Sequence, residues 1–345
     1  MFSYNNRIDN CNFIKVVLML AVVLCHSVSF WSGDWFTAIK CTQHSRVLSL
    51  LSSWTGAFHV YGFVLVSGYL FFYLKNEKGK YTKIIPFLVN KTKRLIIPYC
   101  FAAFIWVVPI TTFFYSFELK EIVYKYLLCE SPSQLWFLWM LFWIFFIAWP
   151  LSNFFKNHFF IGVIIVCSIW VIGIICGRFT HNYFCVWTSL QYIPFFYLGY
   201  KIRQFDQMIN YKLVLIISTI IFFVVFGISN GLVINVSTIF KTGFDFILHL
   251  SGSLSSFTIL QFLANILSGN IIKKKIESLS RYTMIIYLFH QQWIYIMIYL
   301  LHGKVNIYFN AIVNFLIAIV ASVLIGIVLL KFKVSRFLVG EKNVI

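Results

Sequence analysis

The feature that most constrains this chain is a series of long apolar runs separated by short polar segments. A helix of about 20 mostly apolar residues spans the hydrocarbon core of a bilayer. Such a helix also forms hydrogen bonds between its own backbone N–H and C=O groups, for which lipid offers no partners. The sequence therefore predicts an all-α polytopic membrane protein with about ten transmembrane helices, placed near 13–31, 50–74, 95–115, 135–151, 159–176, 187–200, 211–229, 244–268, 282–301 and 310–331.

Composition indicates the same class. Hydrophobic residues make up 61% of the chain and charged residues 11%, against about a quarter charged in soluble domains. No linker, repeat or low-complexity tract interrupts the pattern, so residues 1–345 are predicted to form a single transmembrane domain. The sixth span is short and contains Pro194 and Gly199, so a tilted, broken or re-entrant helix is compatible with it.

The net charge of +18 is explained by membrane topology. Most Lys and Arg residues fall in the short segments on one side of the predicted spans, with the largest group between Lys75 and Arg94. Basic residues concentrate in this way on the cytoplasmic side of membrane proteins. Both termini are therefore predicted to be cytoplasmic, and nucleic-acid binding is disfavoured.

The eight cysteines show no metal-ligand spacing, so no metal site is predicted. Cys41, Cys129 and Cys185 lie near predicted outer loops, where an oxidising compartment would permit a disulfide.

Four histidines lie inside predicted spans: His26, His59, His249 and His290. Ionisable residues are costly in lipid and are functional candidates for that reason. The alternative for each is a neutral imidazole that forms a hydrogen bond between helices, and we prefer that interpretation for His249.

His26 is distinguished by Lys15, eleven positions earlier on the first predicted helix. Eleven residues are close to three helical turns, so the two side chains share a face about 16 Å apart along the axis. One stripe thus carries a cation that can hold a phosphate and a base that can take a proton. A Lys at the inner end of a first helix is also what orientation alone requires.

Lys91 and Arg94 enter the third predicted span three positions apart, and they share a face if this stretch is helical. Two cations there suit a nucleotide phosphate, although topogenic charge or contact with lipid headgroups explains them equally well. Ser67 is more simply explained by close helix packing and Trp136 by an interfacial aromatic belt.

Taken in order, these segments resemble the acyltransferase 3 family of membrane acyltransferases. The resemblance rests on Lys15 and His26 with ten residues between them, the run His59–Tyr69, Phe87 with Lys91, Arg94 and Pro98, and the runs Leu135–Leu138, Ile193–Gly199 and Ile286–His290. The sequence departs from the family pattern at Asn12, where an acidic residue is frequent, at Tyr61, where proline is common, and at Lys91, where arginine is frequent.

The resemblance implies transfer of an acyl group, usually acetyl, from cytoplasmic acyl-coenzyme A to a hydroxyl of a surface or lipid-linked polysaccharide. It implies a location in a bacterial inner membrane, with acetyl-coenzyme A as donor substrate and no permanently bound cofactor. His26 would be catalytic, as a general base or an acyl carrier, and Lys15, Lys91 and Arg94 would bind acyl-coenzyme A. Possible accessory residues are His59, His290, Tyr287, Ser67 and Trp136.

Two other functions stay open at this stage. A transporter or flippase for a glycan or lipid-linked sugar would also need polar residues inside the membrane. A sensor or anchoring subunit would need no catalytic group.

Overall fold

A computed structural model of the chain describes residues 6–33, 35–231 and 238–341. The termini predicted to be cytoplasmic, residues 1–5 and 342–345, lie outside the described residues. Over the described ranges the structure is helical and contains no strand, which confirms the predicted fold class. The α-helices are α1 (Asn6–Ser29), α2 (Arg46–Gly56), α3 (His59–Phe72), α4 (Ile84–Lys91), α5 (Ile97–Ala102), α6 (Val108–Tyr115), α7 (Leu119–Ile122), α8 (Trp136–Asn157), α9 (Phe159–Phe179), α10 (Val186–Gln204), α11 (Tyr211–Gly231), α12 (Thr238–Ile266), α13 (Ile271–Ser278), α14 (Thr283–Leu301), α15 (Ile307–Leu329) and α16 (Lys333–Leu338).

Nine helical stretches of the described chain are long and apolar enough to cross a membrane. The predicted sixth span, 187–200, is the continuous helix α10, which does not reach the same apolar content as the nine. Large apolar side chains remain exposed on α9, α11 and α15, for example Ile164, Ile220 and Leu324. These surfaces suit a lipid environment, because lipid chains can pack against apolar side chains that would be unfavourably exposed in water.

The second predicted span, 50–74, lies within one stretch long enough to cross a membrane, Arg46–Glu77, which is interrupted where α2 ends at Gly56 and α3 begins at His59. The basic segment 75–94 was expected to be a loop, but α4 begins at Ile84 within it. Lys91 and Arg94 therefore lie on helical backbone, about two and three turns, respectively, into the helix that enters the membrane.

Wide π-helical turns precede two prolines in this region. Thr92–Ile96 comes just before Pro98, and Ala103–Val107 comes just before Pro109. A proline ring has no N–H to donate and clashes with the carbonyl four residues earlier. That carbonyl belongs to a π-helical turn in both cases, so the wider turn lets the helix continue past the proline.

The chain divides into two compact units. The first contains the described residues up to Trp35 together with Cys41–Phe72 and Leu198–Thr283. The second contains Phe36–Lys40, Tyr73–Tyr197 and the described residues from Met284 onward.

The core of the first unit is formed where α1, α3 and α12 pack together, through residues such as Leu18, Leu65 and Phe257. Gly199 of α10 lies against this core. A Cβ atom at Gly199 would lie 1.9 Å from the carbonyl oxygen of Leu65. Only a residue without a side chain permits this approach, so close helix packing accounts for the glycine at this position.

We predict that Gly199→Ala destabilises the protein by about 3 kcal/mol or more, because the added methyl group meets backbone that cannot move aside. The matched control is Gly227→Ala, where a Cβ would meet nothing within 4 Å. The thermal unfolding temperature in detergent should fall for the first variant and stay level or rise for the second. Equal unfolding temperatures would show that α10 can shift away from α3 at no cost.

Candidate functional site

Helix α1 is continuous through both Lys15 and His26, so the predicted stripe exists. Both side chains are half-buried. Regular α-helical geometry places them on one face, about 16 Å apart along the axis. The first unit therefore contains a cation and an imidazole on a single rigid element.

The turn of α1 that carries His26 is fixed by hydrogen bonds to α2. The Ser29 and Ser52 hydroxyls lie 2.7 Å apart, and the Ser29 hydroxyl also donates to the carbonyl of Cys25 at 2.6 Å. The Cys25 thiol donates weakly to the carbonyl of Ser52 at 3.5 Å. These contacts restrict the backbone that positions the imidazole.

The chain then turns back over His26. Residues Phe30–Ser32 form a 3-10 turn that ends at Gly33, whose φ of +103° favours glycine. Trp35 follows, and its ring centroid lies 5.5 Å from that of His26 with the planes tilted by 38°. An indole beside an imidazole gives it an apolar neighbour and limits the approach of water.

His59 and His249, both in the first unit, make hydrogen bonds to backbone. The Nδ1 atom of His59, which is buried, lies 2.7 Å from the carbonyl oxygen of Thr55 and must donate, since a carbonyl only accepts. His249 Nδ1 lies 3.0 Å from the carbonyl oxygen of Ala57, and its ring stacks on Tyr61 at 3.9 Å. His249 therefore satisfies a carbonyl at the break between α2 and α3, which confirms the structural role preferred for it.

A buried ionic cluster lies at the end of the first unit that contains the start of α1. The Asp206 carboxylate, whose side chain has no exposed area, accepts hydrogen bonds from Arg7 at 2.7 Å and Arg203 at 3.0 Å. It also accepts from the hydroxyls of Tyr69, at 3.1 Å, and Tyr211. Four partners surround one carboxylate and connect α1, α3, α10 and α11.

The predicted donor-binding cations, Lys91 and Arg94, belong to the second unit and have different surroundings. Lys91 is half-buried, and its Nζ atom lies 3.4 Å from the ring centroid of Phe145, a strong cation–π geometry. Arg94 is exposed. The π-helical turn Thr92–Ile96 directly follows Lys91 and contains Arg94, so their spacing departs from the α-helical one on which the expected shared face was based.

Aromatic groups of α8 hold two lysines of this segment. Lys75 Nζ donates to the carbonyl of Trp149 at 2.7 Å and lies 4.0 Å from that ring, one turn along α8 from Phe145. Trp149 in turn donates to the carbonyl of Tyr81 at 2.8 Å. Burial raises the pKa of the Tyr81 hydroxyl, and the charge of Arg94 offsets part of that shift. Tyr81 is therefore a neutral neighbour of these cations.

Tyr287 and His290 of α14 form a second polar group within the same unit. Tyr287 donates its hydroxyl to the carbonyl of Gln134, and Gln134 donates to Gln292 at 2.8 Å. His290 is fully buried, with Nδ1 2.9 Å from the carbonyl of Ile286, so its proton is held by its own helix.

The remaining predicted accessory residues have local partners. Ser67 donates to the carbonyl of Phe63 at 2.8 Å within α3, as hydroxyls in apolar helices commonly do. Trp136 begins α8 and packs against Tyr192 at 5.5 Å. Cys41, Cys129 and Cys185 are free thiols. Residues 6–33, 35–231 and 238–341 contain no group of three or more His, Cys, Asp or Glu side chains placed to hold a metal ion.

A comparison with known protein families shows to which family the chain belongs. A family model described as an acyltransferase domain matches residues 8–331, nearly the whole chain. The chain belongs to the acyltransferase 3 family. Neither a curated protein nor a solved structure matches this acyltransferase. The chain is thus a multi-pass membrane protein of an acyl-transferring family.

The structure distributes the predicted site residues of this acyltransferase over both units. Lys15, His26, His59 and Ser67 lie in the first unit, and Lys91, Arg94, Trp136, Tyr287 and His290 lie in the second. Sequence reasoning missed the buried amides of α14 and the pairing of Asp206 with Arg7 and Arg203. Adjacent glutamines inside an apolar span and an acid beside a cluster of basic residues were the available signals.

We predict that Asp206→Asn destabilises the protein by about 3 kcal/mol or more, because it leaves two arginines without a full counter-charge, one of them completely buried. Asp9→Asn, at an exposed acid of the same helix α1, is the control and should have little effect. The readout is the unfolding temperature in detergent. A melting curve for Asp206→Asn that overlays the wild type would mean that the cluster does not hold the helices together.

Proposed function

We propose that this acyltransferase transfers an acetyl group from acetyl-coenzyme A to a hydroxyl of a surface or lipid-linked polysaccharide in a bacterial inner membrane, with His26 as general base. The observation that carries the proposal is the half-buried imidazole of His26, held on α1 in line with Lys15. Membership of an acyl-transferring family supplies the reaction class.

The proposed chemistry needs one proton acceptor. A sugar hydroxyl is a weak nucleophile until a base removes its proton in the transition state. His26 takes that proton while the hydroxyl oxygen attacks the thioester carbonyl and forms the new ester bond. The carbon–sulfur bond then breaks, and the proton passes from the imidazolium to the departing thiolate of coenzyme A. The imidazole is regenerated in its original state.

His26 suits this role better than the other histidines of the described helices. The rings of His59 and His290 are buried and their Nδ1 protons are directed at carbonyls one turn earlier in their own helices, whereas His26 is only half-buried. These two residues are therefore proposed only to orient or assist. Trp35 beside His26 offers a surface on which an acyl group or a sugar ring can pack.

Donor binding is assigned to Arg94, Lys91 and Lys15. Arg94 is exposed and presents a planar guanidinium that binds phosphate through paired hydrogen bonds. Lys91 is anchored over Phe145, which fixes the position of its positive charge.

We predict that His26→Ala abolishes acylation while leaving the amount of membrane-inserted protein unchanged, since a half-buried side chain on a helix held by α2 contributes little to folding. Ester content of surface glycans, measured by mass spectrometry, is the readout. His158→Ala, at an exposed loop histidine, should acylate normally. Wild-type ester levels in the His26→Ala strain would remove His26 from the mechanism.

We predict that Arg94→Ala raises KM for the acyl donor about tenfold with a smaller change in kcat, because a charge-assisted phosphate contact is lost. Arg94→Lys should recover part of the loss. The matched control is Lys93→Ala, the neighbouring exposed cation, which tests whether any charge at this position suffices. Equal effects of the two alanine variants would indicate general electrostatic attraction instead of a specific contact.

Deletion of the protein distinguishes the remaining functions. An acyltransferase leaves the polysaccharide on the surface without its ester, whereas loss of the surface polymer itself would indicate a carrier. Full function of an Arg94→Ala, His26→Ala double variant would indicate a sensor or anchoring subunit.

A further inference from the structure

A cleft opens in the first unit beside the Asp206 cluster. It is a small, partly open cleft of about 40 Å³, bordered by the start of α1, the start of α11 and the end of α12. Six residues with polar side chains border it, namely Arg7, Tyr211, Lys212, Thr258, Gln261 and Asn265, although its exposed lining is almost entirely apolar.

The acceptor atoms near this cleft are already occupied. The amide of Asn10 donates to both the Gln261 and Asn265 side-chain oxygens at 2.9 Å. The Asn10 oxygen accepts from Lys273 at 2.7 Å. The Asp206 carboxylate is taken up by its four partners.

Donor atoms, in contrast, are left over. Arg7 makes its hydrogen bonds to Asp206 through Nη1 alone, so Nε and Nη2 stay available within the described part of the chain. The Asn265 Nδ2 and the Lys212 Nζ donate to none of the residues that the structure describes, and Lys212 is exposed. A cleft with surplus donors, surplus positive charge and occupied acceptors is complementary to an oxyanion.

The position of the cleft selects the source of that oxyanion. Tyr211 begins one candidate span and Ile266 ends another, so the cleft lies at the level where a span meets the headgroup region. Its apolar border, Leu215 and Phe262, continues into the exposed side chains of Ile216 and Ile266. A ligand with a phosphate head and acyl chains fits this polar-to-apolar sequence, and basic pockets between transmembrane helices bind such headgroups.

We infer that this cleft is a binding site for an anionic phospholipid, with the headgroup phosphate held by Arg7, Asn265 and Lys212 and the acyl chains lying along α11 and α12. The site consists of residues of the first unit only. It uses none of the residues assigned to acyl transfer.

Native mass spectrometry of the intact protein in a neutral detergent tests this inference. Dioleoyl phosphatidylglycerol is titrated against dioleoylglycerol, which has the same chains without the phosphate. The wild type should retain phosphatidylglycerol at least about tenfold more tightly than dioleoylglycerol. Equal binding of the two lipids would overturn the inference.

Two variants locate the site. Asn265→Asp keeps the shape and the oxygen that accepts from Asn10 but replaces the free donor with a negative oxygen, and Lys212→Ala removes an exposed charge without touching the core. Each should weaken phosphatidylglycerol binding about three- to tenfold. Lys274→Ala, an exposed lysine that does not line the cleft, should bind as the wild type does. Unchanged binding in Lys212→Ala would refute the assignment even if Asn265→Asp failed to fold.

Coenzyme A as a soluble competitor separates the two possible sources of phosphate. The lipid adduct should persist in its presence. Displacement of the lipid by coenzyme A would assign the cleft to a soluble phosphate and overturn the lipid site. Acylation activity is a separate measurement, so failure of this inference leaves the proposed function untouched.

Discussion

The first unit depends on the requirement that a charge removed from water must be neutralised inside the protein. Asp206 meets this requirement with two arginines and two tyrosines, which come from four different helices. A buried ion pair contributes little net stability compared with apolar packing, but loss of one partner is strongly destabilising. The main effect of the cluster is therefore to select one arrangement of α1, α3, α10 and α11, and its contribution to net stability is small.

The same requirement explains the polar residues of the spans that take no part in the proposed chemistry. His249 satisfies the carbonyl of Ala57, where the backbone between α2 and α3 is interrupted. Ser67 returns its hydrogen bond to its own helix. Some polar side chains inside the membrane thus serve to form hydrogen bonds with backbone carbonyls. His26 and Lys15 are instead proposed to act on substrate.

Sequence periodicity was sufficient to place Lys15 and His26 on one stripe, because a single regular helix carries both and no tertiary contact enters the argument. The break at Ala57 was missed although Ser52, Ser53, Thr55 and Gly56 precede it, because the apolar content of the whole run outweighed this signal. Likewise, Arg203 was counted only as a topogenic charge. Its partner Asp206 is three positions away, but the other groups that bind this carboxylate, Arg7 and Tyr69, lie 199 and 137 positions from it. The aromatic surroundings of Lys91 depend on how α8 packs, which spacing along the chain does not encode.

The two tasks proposed for this acyltransferase make opposite demands on their residues. A general base acts best where water is restricted and its position is fixed, and His26 is half-buried on a turn held by Ser29 and Ser52. A phosphate contact must exchange with solvent at each turnover, and the guanidinium of Arg94 is exposed. Lys91 combines features of both residues, because its contact with Phe145 restricts the side chain without neutralising its positive charge. Replacement of Phe145 by leucine would keep the apolar packing and remove the cation–π contact, so its effect should appear in donor binding before it appears in the chemical step.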